Sequence, residues 1–219
     1  MSAAARKKRK ARDPEATREA LLRAATELFA LEGYDGVKVD ALARRAGVNK
    51  ALVSYYFGGK RNLYRAAIES GFRELSALAS GLRDESRPPM ELLRGFIQGF
   101  GALASERRPY FPALFLRETL STGELAPEAR GHARAILGAF RGVLKRGADE
   151  GSFRPVDPGE LYLHLVGSLA FFFATEPARR HLARKGKLPV SLPSRRSYVS
   201  FVEKAVTRSL APDSNGARP

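Results

Sequence analysis

Residues 39–57 read VDALARRAGVNKALVSYYF, and this stretch decides the fold. Its first part, 39–46, places apolar side chains at helical spacing, and Gly47 interrupts the pattern. Asn49 then provides a cap for a second helix over 50–57. Two short helices joined by such a turn form a helix-turn-helix, in which the second helix protrudes from the surface. A protruding helix of this width fits the major groove of B-DNA.

Helical patterns continue on the N-terminal side of this unit and immediately after it. Asp13-Pro14 is a helix start, because Asp caps well and Pro is suited to the first helical position. An apolar stripe follows over 21–29, and Gly33 is placed to end that helix. Gly58-Gly59 ends the helix at 50–57, and a further helix begins near Lys60.

The rest of the chain also predicts helices only. A polar, Pro-rich segment, DESRPP at 84–89, marks a domain boundary. Helical patterns follow at 92–103, 110–120, 127–150, 161–174 and 194–210, with a helix-start signal at Asp157-Pro158. A basic loop is predicted for 177–193. Because no segment alternates with a period of two, the predicted fold class is all-α.

Composition and the absence of known motifs exclude several classes of protein. The 219 residues contain no Cys, which excludes disulfides and thiolate chemistry. No secretory signal opens the chain, and the apolar stretch 161–174 is too short to span a bilayer. The sequence contains no GxSxG, HExxH or Walker motif, so an enzyme is not predicted. His132, His164 and His181 lack metal-ligand spacing, and neither a metal nor a cofactor is expected.

The net charge of +15 indicates a polyanionic partner, but the charge is unevenly placed. Residues 13–60 contain seven cations and seven acids. Residues 1–12 hold six cations and no acid, which predicts a disordered basic tail. Segment 177–196 holds seven cations and no acid, and no role follows from sequence. Residues 211–219 are predicted to be disordered.

Residues 16–70, ATREALLRAATELFALEGYDGVKVDALARRAGVNKALVSYYFGGKRNLYRAAIES, resemble the TetR/AcrR family of bacterial transcriptional regulators. The resemblance implies a helix-turn-helix DNA-binding domain over 13–83 and a larger helical effector-binding and dimerisation domain over 84–210. It also implies a cytoplasmic, ligand-responsive repressor that binds a near-palindromic operator as a dimer. Its DNA-contacting positions fall on Lys38, Lys50, Ala51, Leu52, Ser54, Tyr55, Tyr56 and Lys60.

Three of these positions depart from the family pattern, and two of them, Leu52 and Ser54, stand where the family often has Thr and Tyr. Lys38 stands where the family usually has Thr, so a hydroxyl cap is not expected there. Leu52 can touch a thymine methyl group but cannot hydrogen-bond a base. We therefore expect the operator to differ from those of better-known relatives.

The resemblance also implies a homodimer formed by helices at about 158–175 and 194–210. The apolar stripes assigned to that interface are Leu165, Leu169, Phe172, Tyr198, Phe201 and Val202. An apolar or aromatic small-molecule effector is expected in the C-terminal half. Candidate effector contacts are Phe100, Tyr110, Phe111, Phe115, Arg117, Phe140, His164 and Phe172. For Arg117-Glu118 a structural ion pair is the alternative.

Two other functions remain open on sequence alone. A sequence-independent architectural nucleic-acid binder would be driven by the basic tail and would show steep salt dependence. A membrane-surface helical protein would bind anionic vesicles, and the family motif argues against it. The basic tail is either a solvated end or an arm that follows the DNA backbone.

Overall fold

The computed structural model describes residues 13–122, 127–186 and 192–212, and every regular element in these ranges is a helix. The N-terminal helices are α1 (Pro14–Gly36), α2 (Val39–Ala46), α3 (Ala51–Phe57) and α4 (Lys60–Ser80). They are followed by α5 (Pro89–Ala102), α6 (Phe111–Thr122), α7 (Pro127–Asp149), α8 (Pro158–Ala174), α9 (Glu176–Arg184) and α10 (Arg195–Leu210). The all-α class is confirmed.

The predicted helix starts are confirmed by their caps. The Asp13 carboxylate accepts from the Glu15 amide at 3.0 Å. The Asp157 carboxylate accepts from the amides of Gly159 and Glu160 at 2.8 and 2.9 Å. Each cap satisfies amide groups that a helix leaves without an internal partner.

Gly33 breaks α1 with φ 75° and ψ 173°, so the regular helix stops there and a last turn follows to Gly36. A side chain at Gly33 would be strained at this φ, and its Cβ would lie 2.9 Å from Nη1 of Arg117. The predicted helix end is therefore confirmed, and the glycine also makes room for α6.

Two hydrophobic cores hold the helices together. The head core, formed mainly by α1 to α4, includes Leu21, Phe29, Leu42, Val53 and Phe57. The body core is formed by α5, α7, α8 and α10 together with the end of α4. We name the two parts the head and the body.

The two cores do not separate cleanly at residue 84. Helix α6 follows the predicted boundary, yet its Phe111 and Leu114 belong to the head core. Phe111 packs closely on Gly71 of α4, where a Cβ would meet the ring at 2.0 Å. The domain limits 13–83 and 84–210 stay a prediction, and α6 couples the two parts.

Two sequence expectations in the C-terminal half are wrong. The predicted loop at 177–193 is helical in its first part, which lies in α9, and its residues 187–191 lie outside the described residues. Pro177 is in the first turn of that helix, where proline favours a helix start. The predicted interface residues Leu165, Leu169, Phe172 and Val202 are buried inside a single chain. The apolar pattern surrounds α8, so periodicity alone does not distinguish its inner from its outer side.

The predictions for the ends of the chain fall largely outside the described residues. The basic tail 1–12 lies outside them, and so does 213–219 of the predicted C-terminal end. Among the described residues, no single helix has the length and apolar character to cross a membrane. Helices α8 and α9 pass that test only as a pair bent by 48°.

Candidate nucleic-acid interface

The helix-turn-helix is held in place by its apolar residues and by its turn. Leu42 of α2 and Val53 and Phe57 of α3 are buried in the head core. The Asn49 side chain accepts from the Ala51 amide at 2.9 Å, which confirms the predicted cap of α3. This anchoring fixes which side of α3 faces solvent.

The solvent side of α3 carries Lys50, Ala51, Ser54 and Tyr55, all of which are exposed. Tyr55 is 77% exposed, and its ring meets the Tyr56 ring edge-on with centroids 5.0 Å apart. A large aromatic side chain exposed to this extent does not contribute to the core. The exposed hydroxyl of Tyr55 and the exposed ammonium group of Lys50 can reach phosphates or base edges.

The remaining predicted DNA contacts surround this face. Leu52 and Tyr56 are half-buried and pack against the head core. The Lys60 ammonium lies 4.4 Å from the centroid of the Tyr34 ring, at the start of α4. Lys38 is exposed at the N-terminus of α2 and makes no side-chain cap, which agrees with the loss of the usual hydroxyl.

The turn between α3 and α4 brings Lys60 to this face. Gly59 has φ 132° and ψ −179°, a backbone conformation that only glycine adopts readily. It lets α4 begin with only two residues between it and α3, so backbone N–H groups at the start of α4 lie close to the end of α3.

Sequence reasoning missed an ion pair within the interface. The Lys50 ammonium lies 3.5 Å from a carboxylate oxygen of Asp40, and both side chains are largely exposed. An exposed pair of this kind contributes about 0–1 kcal/mol, so Lys50 can exchange Asp40 for a phosphate at little cost. The signal was available, since Asp40 is the acid in the first turn of α2.

The head is also tied to the body by charged side chains. Arg108, on the segment before α6, pairs with Glu74 of α4 at 2.6 Å and with Glu19 of α1 at 3.0 Å. Arg107 pairs with the other oxygen of Glu74 at 3.1 Å. These residues are far apart in sequence, and no local motif pointed to them. A cleft of about 350 Å³ lies beside them, between α1, α2 and residues 106–110.

The predicted effector contacts are spread over the molecule. Phe100, Phe140 and Phe172 are buried in the body core, whereas Phe111 is buried in the head core. Phe115 packs against both cores.

The polar effector candidates lie nearer the surface. Half-buried Tyr110 lines the cleft between head and body. Exposed Arg117 donates to the Leu31 carbonyl at 3.4 Å, and His164 is exposed on α8. Arg117 and its neighbour Glu118 have different partners, since buried Glu118 accepts a hydrogen bond from the Tyr64 hydroxyl.

The fold and the exposed face of α3 define a helix-turn-helix DNA-binding protein. A family model described as "Bacterial regulatory proteins, tetR family" matches residues 21–67. A model described as "Tetracyclin repressor-like, C-terminal domain" matches residues 89–186. The chain belongs to the TetR family and is a DNA-binding transcriptional regulator.

Similar proteins extend over most of the chain. The HTH-type transcriptional repressor NicS of Pseudomonas putida is 27% identical over 172 residues, covering 75% of this chain and 78% of NicS. The HTH-type transcriptional regulator RutR of Escherichia coli is 26% identical over 171 residues, covering 73% and 75% of the two chains. A TetR family transcription regulator from Marinobacter aquaeolei has a similar structure, with a TM-score of 0.66 at 16% identity. That similarity covers 90% of this chain and 97% of the other, and it shows the shared fold.

Proposed function

We propose that this regulator is a repressor that binds a near-palindromic operator as a homodimer. The observation that carries the proposal is the solvent face of α3, where Lys50, Ser54 and Tyr55 project from a helix anchored by buried apolar residues. Repression requires no contact with another protein, because a dimer bound to a promoter blocks RNA polymerase. NicS, which is similar over most of the chain, carries the name of a repressor.

The proposed dimer interface lies on the outer sides of α8 and α10. Leu163 and Phe171 of α8 are 70% and 64% exposed, and Phe201 of α10 is 65% exposed. His164 and Gly167 lie on the same side of α8, at helical spacing from these residues. Large apolar side chains grouped on one surface favour burial against a second copy. Phe201 is among the residues that the sequence pattern assigns to the interface, whereas Leu163 and Phe171 take the place of the assigned residues of α8 that are buried.

Two copies joined in this way present two recognition helices. Successive major grooves on one side of B-DNA lie about 34 Å apart, so half-sites separated by one helical turn are expected. The interior of the cell, where the DNA lies, is the proposed location.

A small-molecule effector is the proposed input. For induction, the effector must bind more tightly to the state that cannot hold DNA. Helix α4 is the proposed lever, because it extends from the recognition helix to the body core. An apolar or aromatic effector is proposed for the body because its core is rich in phenylalanine, including Phe100, Phe140 and Phe172.

The proposal is tested by selecting genomic fragments with the purified protein. We expect enrichment of one near-palindromic sequence, bound at least about 10³-fold more tightly than random DNA of the same length. Binding with steep salt dependence but no discrimination would instead identify the architectural alternative, a charge-driven binder.

A further inference from the structure

A second basic region, at the junction of α8, α9 and α10, has no part in the proposed function. Within the described residues 176–186 and 192–196 there are six cations and one acid, Glu176. The cations belong to two groups, those that hold α9 in place and those that face solvent.

Two arginines hold α9 against the body. The Arg179 guanidinium lies 4.0 Å from the centroid of the Phe172 ring and donates to the Thr175 hydroxyl at 2.9 Å. Arg195 binds both carboxylate oxygens of Glu176, at 2.9 and 3.0 Å, and donates to the Ser105 carbonyl at 3.3 Å. Helix α9 is therefore fixed to both α8 and α10.

The other cations point outward. Arg184, Lys185 and Arg196 are exposed, and none of them forms an ion pair with any residue that the structure describes. Arg180 pairs with Glu176 at 2.5 Å, but its side chain is 61% exposed. We name Arg180, Arg184, Lys185 and Arg196 the α9 patch. The single acid of this segment, Glu176, is already neutralised, so the exposed side of α9 is cationic. Glu106 and Glu203 line a cleft beside Arg196, so Arg184 and Lys185 are the cations of the patch farthest along α9 from these acids.

The α9 patch lies at the end of the body that faces the head. At the opposite end, Arg146 of α7 donates to the carbonyls of Asp84 and Arg87, beyond the end of α4. The Arg154 amide, just before α8, donates to the carbonyl of Leu210, the last residue of α10. Helix α8 thus begins at the end far from the head, and α10 finishes there.

Contacts at the other end of these helices agree with this direction. Arg195, at the start of α10, contacts Ser105, and nearby Arg107 and Arg108 pair with Glu74, about two-thirds of the way along α4. The end of α8, all of α9 and the start of α10 therefore lie toward the DNA-binding head.

Helix lengths give an estimate of the distance that the patch must span to reach the DNA. Glu74 is 14 residues beyond Lys60, or about 21 Å along α4. Helix α9 is bent by 48° from α8 and has nine residues, so it extends toward the head by about 9 Å. Arg184 and Lys185 are at its far end, on long side chains. The recognition helix lies inside the major groove, which is about 8.5 Å deep. The phosphates at the edges of the groove are therefore closer to the body of the protein than the bases are.

We propose that the α9 patch contacts DNA phosphates between the two half-sites of the operator. This rests on the proposed function, because the dimer through α8 and α10 brings both copies of the patch to the centre of the complex. Such contacts add affinity without reading sequence. They give the body a direct role in holding DNA.

The test is the salt dependence of binding by Arg184→Gln/Lys185→Gln. Binding is measured from 50 to 200 mM salt on the selected operator and on a scrambled duplex of equal length. We expect the slope of log K against log salt to become shallower by about 0.9 for each phosphate that the variant no longer neutralises. The preference for operator over scrambled DNA should stay unchanged, and hydroxyl-radical protection of the backbone between the half-sites should weaken.

The matched control is Arg141→Gln/Lys145→Gln, which removes the same charge from exposed positions on α7, in its half nearer the far end of the body. The Debye length is about 14 Å at 50 mM and about 7 Å at 200 mM salt, and cations farther than this from DNA are largely screened, so the control should keep the wild-type slope. Equal slopes for the two variants would overturn the phosphate contact. If the wild type binds operator and scrambled DNA equally well, the proposed function is overturned. The salt slopes on the scrambled duplex would in that case still show whether Arg184 and Lys185 contact phosphates.

Discussion

Tyr55 is the residue on which DNA recognition is most directly tested. Its side chain is 77% exposed on α3, so removing it should change the free energy of unfolding by less than about 0.5 kcal/mol. Tyr55→Ala should nevertheless weaken operator binding by about 1–3 kcal/mol, measured by fluorescence anisotropy, with the dimer intact. Leu120→Ala, an 84% exposed position on α6, is the control and should bind normally. Normal operator affinity of Tyr55→Ala would show that α3 is not the recognition helix.

Tyr64 gives a residue-scale prediction that depends on pH. Burial, and then the hydrogen bond to Glu118, raise the pKa of Tyr64 above its ordinary value of 10.0. The stability from the neutral hydroxyl is complete below pH 10 and is lost at higher pH, because the unfolded chain ionises first. Tyr64→Phe should lower the free energy of unfolding at pH 7 by about 1–3 kcal/mol, since Glu118 is left without this donor.

The same variant should flatten the alkaline part of the stability profile. Urea unfolding between pH 8 and 11 should show a smaller decrease in stability for Tyr64→Phe than for the wild type. Tyr55→Phe, at an exposed position, should follow the wild-type curve. Parallel curves for Tyr64→Phe and the wild type would contradict the role assigned to this hydroxyl.

At the scale of helices, Arg108 is expected to join head and body. Its side chain is only 10% exposed and pairs with α1 and α4 together. Arg108→Ala removes the buried cation that Glu19 and Glu74 share and leaves them only their exposed partners, Arg23 and Arg107. The loss of these charged hydrogen bonds should lower the free energy of unfolding by about 1.5–3 kcal/mol. Arg107→Ala removes a 68% exposed partner of the same Glu74 and should cost less than about 1 kcal/mol. Urea denaturation compares the two, and similar decreases in stability would show that burial of Arg108 does not matter.

At the scale of the whole molecule, the exposed apolar side of α8 and α10 predicts the assembly. Phe171→Glu places like charges close to the symmetry axis, which costs several kcal/mol, or about 100-fold or more in the dimer dissociation constant. Light scattering should then show monomers that keep their helical circular dichroism, and operator affinity should fall. Leu120→Glu should remain dimeric. A dimeric Phe171→Glu protein would mean that the copies meet elsewhere.

The sequence by itself determined the helix-turn-helix, the caps at Asp13, Asn49 and Asp157, and the all-α class. These features depend on residues within one or two helical turns of each other, so spacing reveals them. The exposed face of α3 was also predictable, because the buried positions of a short amphipathic helix define the opposite side.

Only the tertiary structure decided which apolar residues of α8 and α10 lie inside the chain. Leu165 and Phe171 are both strongly apolar in sequence, but one is buried and the other exposed, because a helix that is apolar all round has no preferred side until its neighbours pack. The ion pairs of Arg108 with Glu19 and Glu74 are likewise visible only in the tertiary structure. The same is true of α9, which lies where the sequence predicts a loop. These features depend on contacts between residues tens of positions apart, which no local pattern encodes.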